Sequence, residues 1–237
     1  MRLLNTQWLM LAAALTIGAY RGQQAESPPP QDAQLWTQLK VMEPLAASIT
    51  TVQAVFTQWR YSPLLKEPLK SSGEVFVAEG NTLWHTQQPR ETFMLVSAEE
   101  LRMYYPQENL LEVYDIGRLG GELASSPVPR IEALRTRFSM TSLTMAEKTI
   151  SVQLAPKDAD LAEFVSRVEV RIQRETALAE RIEIFDAEGE RTVISFTEIK
   201  VNEPLPQGKV QLNLPADVRI TRPLDPSAGG GHEGGSL

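Results

Sequence analysis

The spacing of apolar residues changes near residue 50, and the change separates a helical opening from a long succession of strands. Leu35, Leu39, Met42, Leu45 and Ile49 recur at intervals of three and four, the stripe of one helix face, with Asp32 placed as an N-cap. Pro44 lies inside that stripe and predicts a kink or two short pieces, as suits a helix wrapped over a curved surface. From Thr51 onward the period is two and β-formers dominate, predicting strands over residues 52–61, 73–78, 82–87, 91–97, 102–105 and 110–115. Their separators are short and turn-like: Glu79-Gly80-Asn81, Pro89, and Pro106-Gln107-Glu108-Asn109.

Residues 117–145 break this rhythm. Gly120-Gly121 and Pro127-Val128-Pro129 frame a short helix over 130–138, with Ile131, Leu134 and Phe138 on one face. Strands resume over 149–155, 164–174, 178–185, 191–201 and 210–214, giving about 11 in all. In this half the alternation is clean: Val168, Val170 and Ile172 point one way, while Arg167, Glu169, Arg171 and Gln173 point the other. Ile182 and Ile184 repeat it against Arg181 and Glu183. One wet face, one buried face and short connections such as Asp186-Ala187-Glu188-Gly189 describe a curved antiparallel sheet with meander topology, mainly β with some α.

The chain ends change the picture. Met1-Arg2, an apolar run from Trp8 to Tyr20 and small residues at Gly18 and Ala19 form a secretory signal pattern over residues 1–25, with an uncleaved anchor as the alternative. A Pro-rich spacer, 26–31, precedes the folded domain, 32–222, and the Gly-rich stretch 223–237 is a tail with nothing to bury. A hydrophobic content of 42% across 237 residues is enough for one substantial core. The formal charge of −7 argues against nucleic acid and against an anionic surface, leaving apolar or cationic ligands.

Catalytic chemistry has little to work with. There are 0 cysteines, so neither disulfides, thiolates nor a lipid-bearing cysteine are available, and only 2 histidines. His232 falls in the tail, and His85 falls on the strand face opposite Trp84, pointing outward. The acidic clusters Glu99-Glu100, Asp158-Ala159-Asp160 and Glu188-Gly189-Glu190 lack the spacing of a calcium loop and read as solvated turns. No metal or cofactor site is expected. Aromatic and Met residues concentrate in the first half, from Phe56 and Trp59 to Tyr104 and Tyr105. They describe either a packed core or a concave face larger than the helices can fill, open to acyl chains.

Short motifs, in order, carry a resemblance. Phe56-Thr57-Gln58 follows the amphipathic helix; then come Ser72-Gly73 and Leu83-Trp84-His85, with Pro89 five residues past the Trp. Leu95-Val96-Ser97 and Tyr104-Tyr105-Pro106 follow, then Asp186 to Gly189, Ile194-Ser195-Phe196, Asn202 and Leu214-Pro215-Ala216-Asp217-Val218. Over residues 35–218 the chain resembles the LolA-type outer-membrane lipoprotein carriers. The resemblance implies an incomplete antiparallel β-barrel, covered by a helical lid and enclosing a hydrophobic cavity. It also implies a monomeric, non-enzymatic periplasmic carrier of acylated lipoproteins or other lipids, loaded by an inner-membrane ABC-type release complex and unloaded by an outer-membrane receptor. Glu79-Gly80 stands where the family carries an Arg-Pro lid latch, and Thr82 where it carries an aromatic. The stretch 61–69 resembles divergent, export-accessory relatives.

On that resemblance the cavity residues are Phe56, Phe76, Trp84, Phe93, Leu95, Met103 and Tyr105, and the lid residues Leu39, Met42, Ile131, Leu134 and Phe138. A one-residue error in a strand would exchange every inward side chain for its neighbour. Two other functions compete: a sensor of mislocalised lipid or lipoprotein built on the same half-barrel, and an enzyme acting on lipid or glycan, which the scarcity of histidine disfavours.

Overall fold

A computed structural model describes residues 30–115 and 126–223; the signal segment, Gly120-Gly121 and the Gly-rich stretch from 224 onward lie outside the described residues. Two helical pieces come first, α1 (Pro30–Leu39) and α2 (Glu43–Ala47), joined by a single 3-10 turn at Lys40–Met42. Pro44 explains the break: it sits in the first turn of α2, where its missing N–H costs nothing, and it would disrupt a continuous helix.

Six strands follow as a meander: β1 (Thr51–Tyr61), β2 (Leu69–Ala78), β3 (Asn81–Gln88), β4 (Thr92–Val96), β5 (Glu100–Tyr105) and β6 (Leu110–Asp115). After α3 (Ile131–Arg137) come β7 (Phe138–Met145), β8 (Thr149–Pro156), the one-turn α4 (Ala159–Ala162), β9 (Arg167–Gln173), β10 (Ala179–Phe185) and β11 (Arg191–Val201). A three-residue β12 (Arg219–Thr221) closes the described chain.

The 12 strands among the described residues form one open, curved sheet in the order β12-β6-β5-β4-β3-β2-β1-β11-β10-β9-β8-β7. The order explains the lid. The first meander walks from the centre to one edge and the second returns from the opposite edge, so the connection between β6 and β7 joins strands on opposite sides of the sheet. That connection contains α3. The chain before β1 likewise runs from the β7 edge to the central strand, carrying α1 across the concave face. Asn202, at the end of β11, fixes the helix-to-strand corner: its Oδ1 accepts from the Thr50 N–H at 2.7 Å, and its Nδ2 donates to the Ser48 carbonyl at 3.1 Å.

Three elements differ from the sequence reading. Strand β7 occupies residues assigned to a pattern break, and Phe138 is its first residue rather than the end of α3. A bulge between Met140 and Ser142 shifts the register, so the inward set Phe138, Met140 and Leu143 does not alternate. Residues 210–214 form no strand. Val210 ends a turn, and it, Leu212 and Leu214 all pack on the sheet's outer face, which accounts for their alternation without a strand. The third difference is β12, too short to show a pattern; it pairs in parallel with β6, Arg219 opposite Leu110.

Candidate functional site

The sheet has two apolar faces in its first half. On the concave side, Ala54, Phe56, Val75, Trp84, Met94 and Met103 join the main core with Val170, Ile182 and Phe196 from the second half. On the convex side, Phe76, Leu83, Phe93, Leu95, Tyr104 and Leu111 make two smaller clusters, roofed by Leu205, Val210, Leu212 and Leu214 of the strap that joins β11 to β12. The cation of Lys209 sits 4.1 Å from the Phe76 ring centre, closing one end of that roof.

Of the residues the resemblance placed in the cavity, Phe56, Trp84, Met103 and Tyr105 lie on the concave face and Phe76, Phe93 and Leu95 on the convex one. Register makes the correction unambiguous: Val75, Trp84, Met94 and Met103 face one another across β2 to β5, and Phe76, Leu83 and Leu95 do so on the other side. Alternation could not supply this parity, because the strap makes the second face apolar too; in β3, Thr82, Leu83 and Trp84 are buried consecutively. His85 points outward, stacked on Phe93 with ring centres 4.2 Å apart and bonded through Nε2 to the Glu91 carboxylate at 2.8 Å.

At the centre of the concave face, Trp84 meets Phe56 edge-on, centroids 4.9 Å apart, and Phe196 at 5.8 Å. Leu39 and Met42 from the first helical segment, and Ile131 and Leu134 from α3, descend onto this floor, with Phe138 beside them. Trp36, unassigned from the sequence, is the largest lid side chain and only 1% exposed. Its place was legible, for Asp32, Trp36 and Leu39 share helical spacing. Lys40 reaches Glu132 at 3.3 Å, an exposed ion pair that ties the two lid segments together.

The lid's firmest polar tie is Asp32. Rather than capping α1, it lies in the helix's first turn, 2% exposed, and its Oδ1 accepts the Met140 N–H at 2.6 Å. Edge strand β7 thus gives a backbone donor to the lid. The position read as a family latch has another role: Glu79 and Gly80, with φ of 54° and 77°, form the β2–β3 hairpin turn. Proline, fixed near −65°, could not take the place of Gly80.

A polar group interrupts the concave face near its β6 edge. Glu112 lies opposite Met103, between Leu110 and Tyr114, and its Oε2 accepts the hydroxyls of Tyr105 at 3.1 Å and Tyr114 at 2.9 Å. Burial first, then the negative charge of Glu112 and its hydrogen bond, push both tyrosine pKa values well above the ordinary range. Both hydroxyls stay protonated and remain donors. The sequence reading missed Glu112, although its period-two placement with Leu110 and Tyr114 marked it as inward.

What this arrangement can do is bind apolar surface. The apolar lid side chains are held to the floor by buried area, and any apolar ligand that displaces them meets the same aromatic floor.

Comparison with known proteins agrees. The family model described as outer membrane lipoprotein carrier protein LolA matches residues 47–212, from the end of α2 into the strap. An outer-membrane lipoprotein carrier protein of Pseudomonas fluorescens is 26% identical over 225 residues, spanning 92% of this chain and 99% of the relative. Another of that name, from Pseudomonas putida, is 26% identical over 217 residues, spanning 89% and 96%. The crystal structure of an uncharacterized conserved protein from Thermus thermophilus shares the fold, with a TM-score of 0.51 at 11% identity over 78% of this chain and 99% of that one.

Proposed function

This chain belongs to the LolA family of outer membrane lipoprotein carrier proteins, and from that membership we infer that it binds the acyl chains of lipoproteins on its concave face and carries them through the periplasm from the inner to the outer membrane. The observation that carries this reading is the aromatic floor of Phe56, Trp84 and Phe196, covered by helices rather than by another sheet. A helix with one buried stripe and an exposed opposite face can swing away as a unit, and the floor it leaves gains about 0.8 kcal/mol for each methylene it takes from water. The lid side chains and the acyl chains compete for one surface, so the empty protein remains closed and water-compatible.

The carrier works as a monomer without chemical turnover. It receives cargo from an inner-membrane ABC-type complex and yields it to an outer-membrane receptor whose own apolar site binds the chains more tightly. Inner-membrane vesicles carrying a labelled triacylated lipoprotein, incubated with the release complex, ATP and this protein, should yield a soluble one-to-one complex of protein and lipoprotein. Lipoprotein that stays in the vesicle fraction under conditions where another carrier of the family extracts it would overturn the reading.

A further inference from the structure

Glu112 places a carboxylate on a face otherwise built to hold hydrocarbon, with Met103 across from it and Leu110 and Tyr114 on either side along β6. Its partners are two phenols, buried at 2% and 1% exposure, which aim the carboxylate through Oε2 but bring no positive charge. Among the described residues no lysine, arginine or histidine pairs with it, and its second oxygen, Oε1, makes no hydrogen bond. Beside an apolar wall this half-buried anion is less fully solvated than in open water, and its free oxygen is the part left open to a ligand. The group that completes it best is a cation with N–H donors, delivered beside the hydrocarbon that covers the wall.

We propose that Glu112, oriented by Tyr105 and Tyr114, is a head-group site on the concave face that takes a protonated amine carried next to the acyl chains of an amphiphile. The inference rests on the carrier reading, since the chains must occupy the concave face for the amine to reach Glu112. It adds a selectivity that an apolar surface cannot have: among ligands with equal chains, those with an ammonium group are preferred over neutral or anionic ones. Two sources share this chemistry, the ethanolamine head of an aminophospholipid and the free α-amine of a diacylated peptide.

The test is competition against a fluorescent fatty-alcohol probe by dodecylamine, dodecanol and dodecanoate, using the full chain and its Glu112→Gln variant. Gln keeps an acceptor for both tyrosines, so the site's packing is retained while its charge is lost. Dodecylamine should bind the unaltered protein about tenfold more tightly than dodecanol, and the variant should lose that margin with dodecanol affinity unchanged. Equal binding of amine and alcohol to the unaltered protein, or a parallel loss of both in the variant, overturns the head-group site while leaving the carrier reading intact. Failure of all three ligands and of the probe to bind the unaltered protein overturns both. With the site established, lysophosphatidylethanolamine and a diacylated peptide, the latter with its amine free or acetylated, identify the source by which of them loses affinity in Glu112→Gln.

Discussion

The carboxylate of Asp32 accepts the backbone N–H of Met140 at 2.6 Å, so the first turn of α1 is bonded to the last strand of the sheet across 108 positions of sequence. Hydrogen bonds to a charged acceptor contribute about 1.5–3 kcal/mol, enough to shift a lid equilibrium by more than tenfold. Replacing Asp32 by Ala should therefore loosen α1 without unfolding the sheet. Hydrogen exchange checks it: amides of residues 33–47 should lose protection in Asp32→Ala, those of β1 and β11 should not, and uniform loss across both would show that Asp32 supports the whole fold instead.

The tyrosines beside Glu112 make stability depend on alkaline pH. In the unfolded chain they release protons near pH 10, whereas in the fold burial and the Glu112 charge keep them protonated. Above that pH the folded state binds more protons than the unfolded one, so the stability they contribute is complete below about pH 10 and is lost as pH rises, with a slope approaching about 1.4 kcal/mol per unit for each tyrosine. The double variant Tyr105→Phe, Tyr114→Phe lacks these protons. Its denaturant midpoint should fall less steeply above about pH 10 than that of the unaltered protein; parallel curves would mean that the phenols titrate freely in the fold.

Leu212 touches both convex clusters and is the strap's central contact. Leu212→Ala should lower stability by about 1–3 kcal/mol in urea unfolding, the lower part of the range for a leucine that is only partly buried. Ending the chain at residue 203 should do more, uncovering Phe76, Leu83, Phe93, Leu95 and Leu111 together. Sedimentation should then show concentration-dependent self-association and strong binding of an apolar dye; a truncated chain that remained monomeric and dye-silent would mean that the strap is dispensable.

Much of this fold was legible in the amino-acid sequence because most strands obey a simple rule. Where one face is wet, as in β9 with Val168, Val170 and Ile172 against Arg167, Glu169 and Arg171, alternation gives both strand and orientation. Parity is lost where the strap makes both faces apolar, because in β4 Phe93 and Leu95 are as apolar as the inward Met94. The bulge in β7 hid a strand, and the strap mimicked one, since Val210, Leu212 and Leu214 reach the outer face from an unpaired, turn-containing segment. Of the candidate site, the aromatic floor and the lid stripe were readable. Asp32 shares the helix stripe and Glu112 the period of Leu110 and Tyr114, but their bonds, to the Met140 N–H and to the hydroxyls of Tyr105 and Tyr114, follow only from the fold.

The short β12 has a consequence for self-recognition. Without it, β6 would present six residues of unpaired backbone at the rim of a sheet already rich in exposed β-formers, a template on which a second molecule could add its own strand. β12 covers the first half of that rim, Leu110 to Glu112, and offers in turn only three residues, followed two positions later by Pro223, which has no N–H to donate. At the far rim β7 has already given the Met140 N–H to Asp32. Both rims of the described sheet are thus partly engaged, which leaves less unpaired backbone on which a second copy could add a strand.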